Sequence, residues 1–320
     1  MARGRFLLGL LSGAVLTGAV GAGGLYAFGG VIAPMLMGTP SIPKPPPIAA
    51  SDASKQALED AKARVASDDR QDFADAERGY VGTLADPVIR NDKGDVVFDL
   101  SSYDFLKSAA PETANPSLWR QAQIITKSGL FKVADGIWQV RGFDVSTVSF
   151  IDAGTGWIVV DPLTTVEVAR AALGLVNQHA GAKPVIAVIY SHSHADHYGG
   201  VLGVTTREDV AAGKVKIVAP DGFLEHAVSE NVIAGPAMSR RARYQFGLTL
   251  PRGPEGEMTS GLGPGISRGT ISLLAPTDIV SETGQTMTIG DVTLEFQVTP
   301  GTEAPAEMNF YLPAKRALFM

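Results

Sequence analysis

The chain has 320 residues, enough to bury a sizeable core in one or two domains, and its 45% apolar and 19% charged residues are a globular composition. A net charge of −6 without any Lys/Arg-rich run gives no basic field, so nucleic acid is excluded as an expected partner. With no cysteine there are no disulfides, no thiolate metal ligands and no lipoprotein anchor.

Residues 1–38 place Arg3 and Arg5 before FLLGLLSGAVLTGAVGAGGLYAFGGVIAPMLMG, a stretch without charge. A basic start followed by an apolar segment is an export signal. The segment exceeds a cleaved signal core and is long enough to span a bilayer at about 20 residues, so an uncleaved membrane anchor is favoured over a cleaved signal peptide. Either one puts the body outside the cytoplasm, in the periplasm of a bacterium. The glycines between Gly9 and Gly30 argue against a buried soluble helix. Residues 39–50, TPSIPKPPPIAA, read as an extended proline-rich linker.

Residues 51–115 read as an N-terminal extension. Its first part, to residue 78, is rich in Ala, Asp, Glu, Lys and Arg and predicts one or two exposed helices. Arg78 to Leu106 then mixes short strands with turns, and Asp92-Lys93-Gly94 between apolar runs predicts a hairpin. The alternating pattern around Asp135-Gly136 predicts paired strands. Gly154 to Asp161 reads as a buried strand ending in a carboxylate, and Thr164-x-x-Glu167 as a capping box for a helix running through Val176. Asp161 is either a turn aspartate or the outer partner of a metal ligand.

Val185 to Gly200, VIAVIYSHSHADHYGG, is the most informative stretch. An apolar β-branched run bounded by polar and glycine residues predicts a buried strand, with histidines at its C-terminal end, where α/β sheets place ligands. Side chains two apart on extended backbone point the same way, so His192 and His194 can present two nitrogens to one point. Asp196 and His197 follow in the turn, close enough to serve a second ion. This ligand mixture suits zinc above other divalent ions. Of the five histidines, His179 and His226 fall in predicted surface helices and are left out of the site.

Lys214 to Pro220 predicts another strand, and Asp221 to Tyr244 helices separated by Gly235-Pro236. Arg240, Arg241 and Arg243 read as a solvated helix face, with Arg240 and Arg241 kept as weak candidates for binding an anionic substrate. Pro251 to Gly269 predicts a long Gly/Pro loop, and Ile271 to Phe296 a series of short strands. In Thr299-Pro-Gly-Thr-Glu303-Ala-Pro-Ala-Glu307, a carboxylate follows the TPG turn.

The motif Ser191-His-Ser-His-Ala-Asp-His197 resembles the H-x-H-x-D-H signature of the metallo-β-lactamase superfamily. The longer pieces NPSLWRQ, GIWQVRGFD, GWIVVDPLTTVE, APDGFLEHAVSENVIAG and TPGTEAPAEMNFYLP are similar to the linear alkyl sulfatases within it, enzymes of the dodecyl sulfate hydrolase kind, over about residues 75–320. The resemblance implies an α/β (α+β) fold, an αβ/βα sandwich, over residues 116–320. It implies hydrolysis of long-chain alkyl sulfates to alcohol and sulfate by a zinc-bound water, and a homodimer for the full-length family. It also implies two zinc ions, one on His192, His194 and Glu303 and the other on Asp196 and His197. Many superfamily relatives have histidine where Glu303 stands. Glu307 is read as a surface carboxylate. The family's remaining ligands, its dimerisation domain and its lipid-carrier-like domain would follow Met320, so the second zinc site is incomplete and a fragment is expected. The other readings are a different hydrolase of this fold (lactamase, thioesterase or phosphoester hydrolase) and an inactive membrane-tethered fragment.

Overall fold

The structure, a computed structural model, describes residues 49–64 and 69–320. The expected signal or anchor at 1–38 and most of the linker lie outside the described residues. Among the described residues no helix is long and apolar enough to cross a membrane.

Two exposed helices come first, α1 (Asp52–Lys62) and α2 (Gln71–Glu77), neither with a buried residue. Ser51 caps α1 by accepting the Ser54 N–H. Strand β1 (Tyr80–Gly82) precedes the predicted hairpin of β2 (Val88–Arg90) and β3 (Val96–Asp99), which turns at Gly94 with φ 87°. Residues 51–115, set apart in the sequence, thus supply β1 to the main sheet, and their Val97, Phe98, Tyr103 and Leu106 enter its core.

Helix α3 (Pro116–Ile125) starts at Asn115, whose side chain accepts two backbone N–H groups, with Pro116 at the first helical position. Strands β4 (Gly129–Ala134), β5 (Ile137–Arg141), β6 (Val148–Asp152) and β7 (Trp157–Val160) form an antiparallel meander, with the expected turn at Asp135-Gly136. Helix α4 (Val166–Ala180) then crosses to β8 (Val185–Ile189), and α5 (Arg207–Ala211) precedes β9 (Lys216–Pro220); both strands are parallel to β7. With β10 (Asp278–Val280) they complete an eight-stranded sheet in the order β1-β4-β5-β6-β7-β8-β9-β10. Strands β11 (Thr286–Ile289), β12 (Val292–Val298), β13 (Met308–Leu312) and β14 (Ala317–Phe319) make a second, antiparallel sheet.

Because side chains alternate along a strand, the large sheet buries both faces. One carries Val159, Val188 and Ile217 against α4; the other carries Ile158, Val160, Ala187, Ile189 and Val218 against Leu294, Phe296, Met308 and Phe310 of the second sheet. Fully burying an aliphatic side chain contributes about 1.5–3 kcal/mol, so β8, with Ala187, Val188 and Ile189 completely covered, is firmly held between the layers. The histidine loop leaves its C-terminal end from a rigid base.

Three local expectations are corrected. The capping box does not form: Thr165 is the N-cap and its side chain makes no cap bond, while the Glu167 carboxylate accepts the N–H and hydroxyl of Thr270 at 2.9 and 2.8 Å. Tertiary partners from the long loop outcompete the local one. Gly235-Pro236 opens α7 (Gly235–Phe246) rather than sitting between helices; α6 (Phe223–Val228) runs into a π-helical turn, Ser229–Ile233, just before it. Residues 271–277 form no strand, because Ser272 spends its N–H and hydroxyl on the carbonyl of Gly199, at 2.7 and 2.8 Å.

Candidate metal centre

At the end of β8 the chain stays extended through His192, which is 4% exposed and whose ring meets that of His194 edge-on, with centroids 4.8 Å apart. His192 Nε2 lies 3.1 Å from His194 Nδ1, so the two rings converge as the spacing predicts. Glu303 Oε1 stands 3.9 Å from His192 Nε2 and 3.7 Å from His194 Nδ1. A tetrahedral ion with bonds of about 2.0–2.1 Å sets its ligand atoms roughly 3.3 Å apart. Two imidazole nitrogens and a carboxylate oxygen at these separations fit a divalent ion of the borderline-soft kind.

The second expected pair is adjacent. The His197 ring lies 3.9 Å from that of His192, centroid to centroid, and His197 Nε2 is 3.2 Å from Asp196 Oδ2. Burial opposes charge on both residues. Their attraction outweighs it, holding Asp196 below the usual carboxylate range and, with Asp161, His197 well above the usual imidazole value. His192 is pushed the other way, by burial first and then by the neighbouring His197.

Asp161 stands behind these rings. Its carboxylate accepts the Ser191 N–H at 2.8 Å, the Ser191 hydroxyl at 2.7 Å and His197 Nδ1–H at 2.9 Å. The Ser191 oxygen in turn lies 2.9 Å from His192 Nδ1. One carboxylate therefore orients His197 directly and His192 through Ser191, with Nδ1 of each turned outward and Nε2 facing the cluster. Asp161 adopts φ 54° and Leu163 φ 62°, conformations that each cost on the order of 1–3 kcal/mol unless held. Backbone bonds from Asp161 N–H to Ile189 and from Leu163 N–H to the Asp161 carbonyl hold them.

Gly199 and Gly200 make this approach possible. A Cβ on Gly199 would fall 2.1 Å from the Thr164 carbonyl, and one on Gly200 would fall 2.0 Å from that of Pro162. Only glycine lets the end of the histidine loop lie against the segment carrying Asp161. The Ser146 hydroxyl secures the loop from the other side, donating to the Asp196 carbonyl at 2.6 Å.

Glu303 rides on the turn between β12 and β13, with a side chain 64% exposed. Glu307 is no free surface carboxylate, contrary to the sequence reading: its Oε2 accepts the N–H groups of Glu303 and Ala304 at 2.7 and 2.9 Å. Burial pushes its carboxyl up, and the bonds from Thr302, Ala304 and Glu303 outweigh that and hold it below the usual range. Met308 N–H bonds to the Ser191 carbonyl at 2.9 Å, tying this turn to the histidine loop. Arg240 and Arg241 are exposed on α7, and neither lines the cleft of about 530 Å³ that reaches Asp161, Asp196, His197 and Glu303. His179 is exposed near the end of α4 and His226 lies half-buried on α6, and neither belongs to the group of candidate metal ligands.

The residues missed in sequence are Ser191, Ser146, Glu307 and Glu230. Ser191 adjoins the histidines, a signal local in the sequence. Glu230, whose Oε2 is 3.8 Å from His194 Nε2, sits far along the chain without a local signal.

The family model for the metallo-beta-lactamase superfamily matches residues 141–320. The chain is 51% identical over 271 residues to a linear primary-alkylsulfatase of Pseudomonas sp., covering 84% of this chain and 40% of that protein. It is 48% identical over 253 residues to the alkyl/aryl-sulfatase BDS1 of Saccharomyces cerevisiae, covering 79% and 39%. Among solved structures it is similar to the stereoselective inverting sec-alkylsulfatase Pisa1 of Pseudomonas sp., with a TM-score of 0.80 and 44% identity over 83% of this chain and 42% of that one. The chain spans about two fifths of the length of these relatives. A match over more than half of its residues places it: the chain belongs to the metallo-beta-lactamase superfamily.

Proposed function

We propose that this member of the metallo-beta-lactamase superfamily hydrolyses alkyl sulfate esters to an alcohol and sulfate, with zinc as the metal. The observation that carries the reading is Glu303, whose carboxylate joins His192 and His194 in a chain about half identical to curated alkylsulfatases. In this reading His192, His194 and Glu303 hold one zinc, and Asp196 and His197 contribute to a second.

Bound zinc supplies Lewis acidity toward the sulfate oxygens and brings the pKa of a water toward neutrality. The protein's part is orientation. Asp161 and Ser191 orient His197 and His192 through their outer nitrogens, and Glu307 holds the turn that delivers Glu303. Val133, Leu262 and Leu318 line the cleft beside the site with exposed side chains, apolar surface of the kind an alkyl chain occupies. The relatives include primary and secondary alkylsulfatases by name, so the proposal is for linear alkyl sulfates as a class. Action outside the cytoplasm, attachment through residues 1–38 and a dimeric whole protein belong to the same proposal and rest on the sequence pattern and the family resemblance.

The test is sulfate release from dodecyl sulfate and from a secondary alkyl sulfate, measured with protein stripped by a chelator and reloaded with zinc, with nitrocefin as the lactam control. Zinc-dependent sulfate release without nitrocefin turnover is expected. Nitrocefin turnover without sulfate release contradicts the proposal.

A further inference from the structure

Each histidine of the cluster has one nitrogen facing the candidate metal position and one facing away. For His192 the outward Nδ1 meets Ser191 Oγ at 2.9 Å, and for His197 it meets Asp161 Oδ2 at 2.9 Å. His194 is turned the other way, with Nδ1 inward beside His192 Nε2 and Nε2 outward. The oxygen facing that outward nitrogen is Glu230 Oε2, at 3.8 Å.

Glu230 is an unusual place for a carboxylate. Its side chain is 24% exposed, yet Oε2 is shielded from solvent and has no hydrogen-bond partner. An unpaired buried carboxylate oxygen is costly. Glu230 also lies in the π-helical turn Ser229–Ile233, an irregularity frequent at functional sites because it re-aims a side chain without ending the helix. The Tyr198 hydroxyl is likewise buried without a partner.

We infer that Glu230 is the positioning residue of His194: with metal bound, its Oε2 closes the 3.8 Å gap and accepts the Nε2–H of that ring, fixing the tautomer that turns Nδ1 toward the metal. The inference rests on the reading of His192, His194 and Glu303 as metal ligands. Glu230 cannot ligate the same ion as His194 Nδ1, because it faces the opposite nitrogen of the ring. With it, all three imidazoles have an outer oxygen partner, as metal-bound histidines ordinarily do.

Zinc affinity of the 320-residue chain, measured by competition with a chromophoric chelator, tests this with Glu230→Met, which keeps the volume and loses the acceptor, and Glu230→Gln, which keeps an acceptor oxygen. The expected result is affinity about 10–100-fold weaker for Glu230→Met and within about threefold of the parent for Glu230→Gln, with unchanged circular dichroism. Equal affinity for Glu230→Met and the parent overturns the inference and leaves the metal reading standing. No zinc binding by the parent overturns both. Imidazole ¹⁵N chemical shifts of the zinc-loaded parent give a check that needs no variant: a proton on His194 Nε2 is expected, and a proton on Nδ1 overturns the inference.

Discussion

His197 Nδ1 and Asp161 Oδ2 lie 2.9 Å apart although 36 residues separate them. The same carboxylate carries Ser191, and through it His192, so one strained aspartate at the end of β7 sets the orientation of two rings at the end of β8. Replacing Asp161 with alanine is expected to weaken zinc binding about 10–100-fold, and Asp161→Asn, which tolerates the left-handed backbone but loses the charge, to fall between. Zinc titrations of the three proteins rank them; equal affinities would remove Asp161 from the account.

The 3.1 Å approach of His192 Nε2 and His194 Nδ1 makes the two rings one chelating unit. His192→Ala and His194→Ala should each lose the same ion, and the double variant should lose no more than either alone. Metal analysis after dialysis reads this directly. A double variant that loses twice what each single one loses would mean the rings serve different ions.

Gly200 touches the Pro162 carbonyl too closely for any Cβ. Gly200→Ala forces that segment apart and is expected to cost about 1–3 kcal/mol, seen as a lowered melting temperature. Because the displaced segment carries Asp161, zinc affinity should fall as well. Gly174, on α4 with open space around it, is the control: Gly174→Ala should be neutral or stabilising.

Glu307 sets a pH dependence. Its folded-state pKa is depressed, so the stability it contributes is present above the carboxylate's unfolded value and is lost as pH falls through the folded one. Thermal melts of the metal-free protein should therefore drop with acidification, and Glu307→Gln should be less stable than the parent at neutral pH while converging on it in acid. A constant gap between the two at every pH would show that the charge of Glu307 contributes nothing.

Much of the site is legible in the sequence because its residues are neighbours on one extended segment. His192 and His194 point together by strand periodicity, and Asp196 and His197 follow within the same turn. Asp161 is legible as a strand-end carboxylate, though not its reach to Ser191. Glu303 is placed by resemblance alone, since nothing in its own spacing brings it near the histidines. Glu230 is hidden for a physical reason, since only folding brings it to a ring 36 residues upstream, whereas Glu307 caps N–H groups three and four residues before it and is misread as a surface carboxylate. The capping box fails in the same way, as Glu167 finds Thr270 rather than its local partner. The layered α/β fold itself is legible because apolar runs such as Val185 to Ile189 are buried on both faces, which only a sheet covered on both sides provides.

The most direct measurement is zinc content together with sulfate release from dodecyl sulfate, made on the same preparation before and after chelator treatment. Zinc is expected to be bound, its removal to abolish sulfate release, and Glu303→Ala to lower both. Sulfate release that survives complete removal of metal, or a chain that binds no zinc at all, would contradict the proposed function.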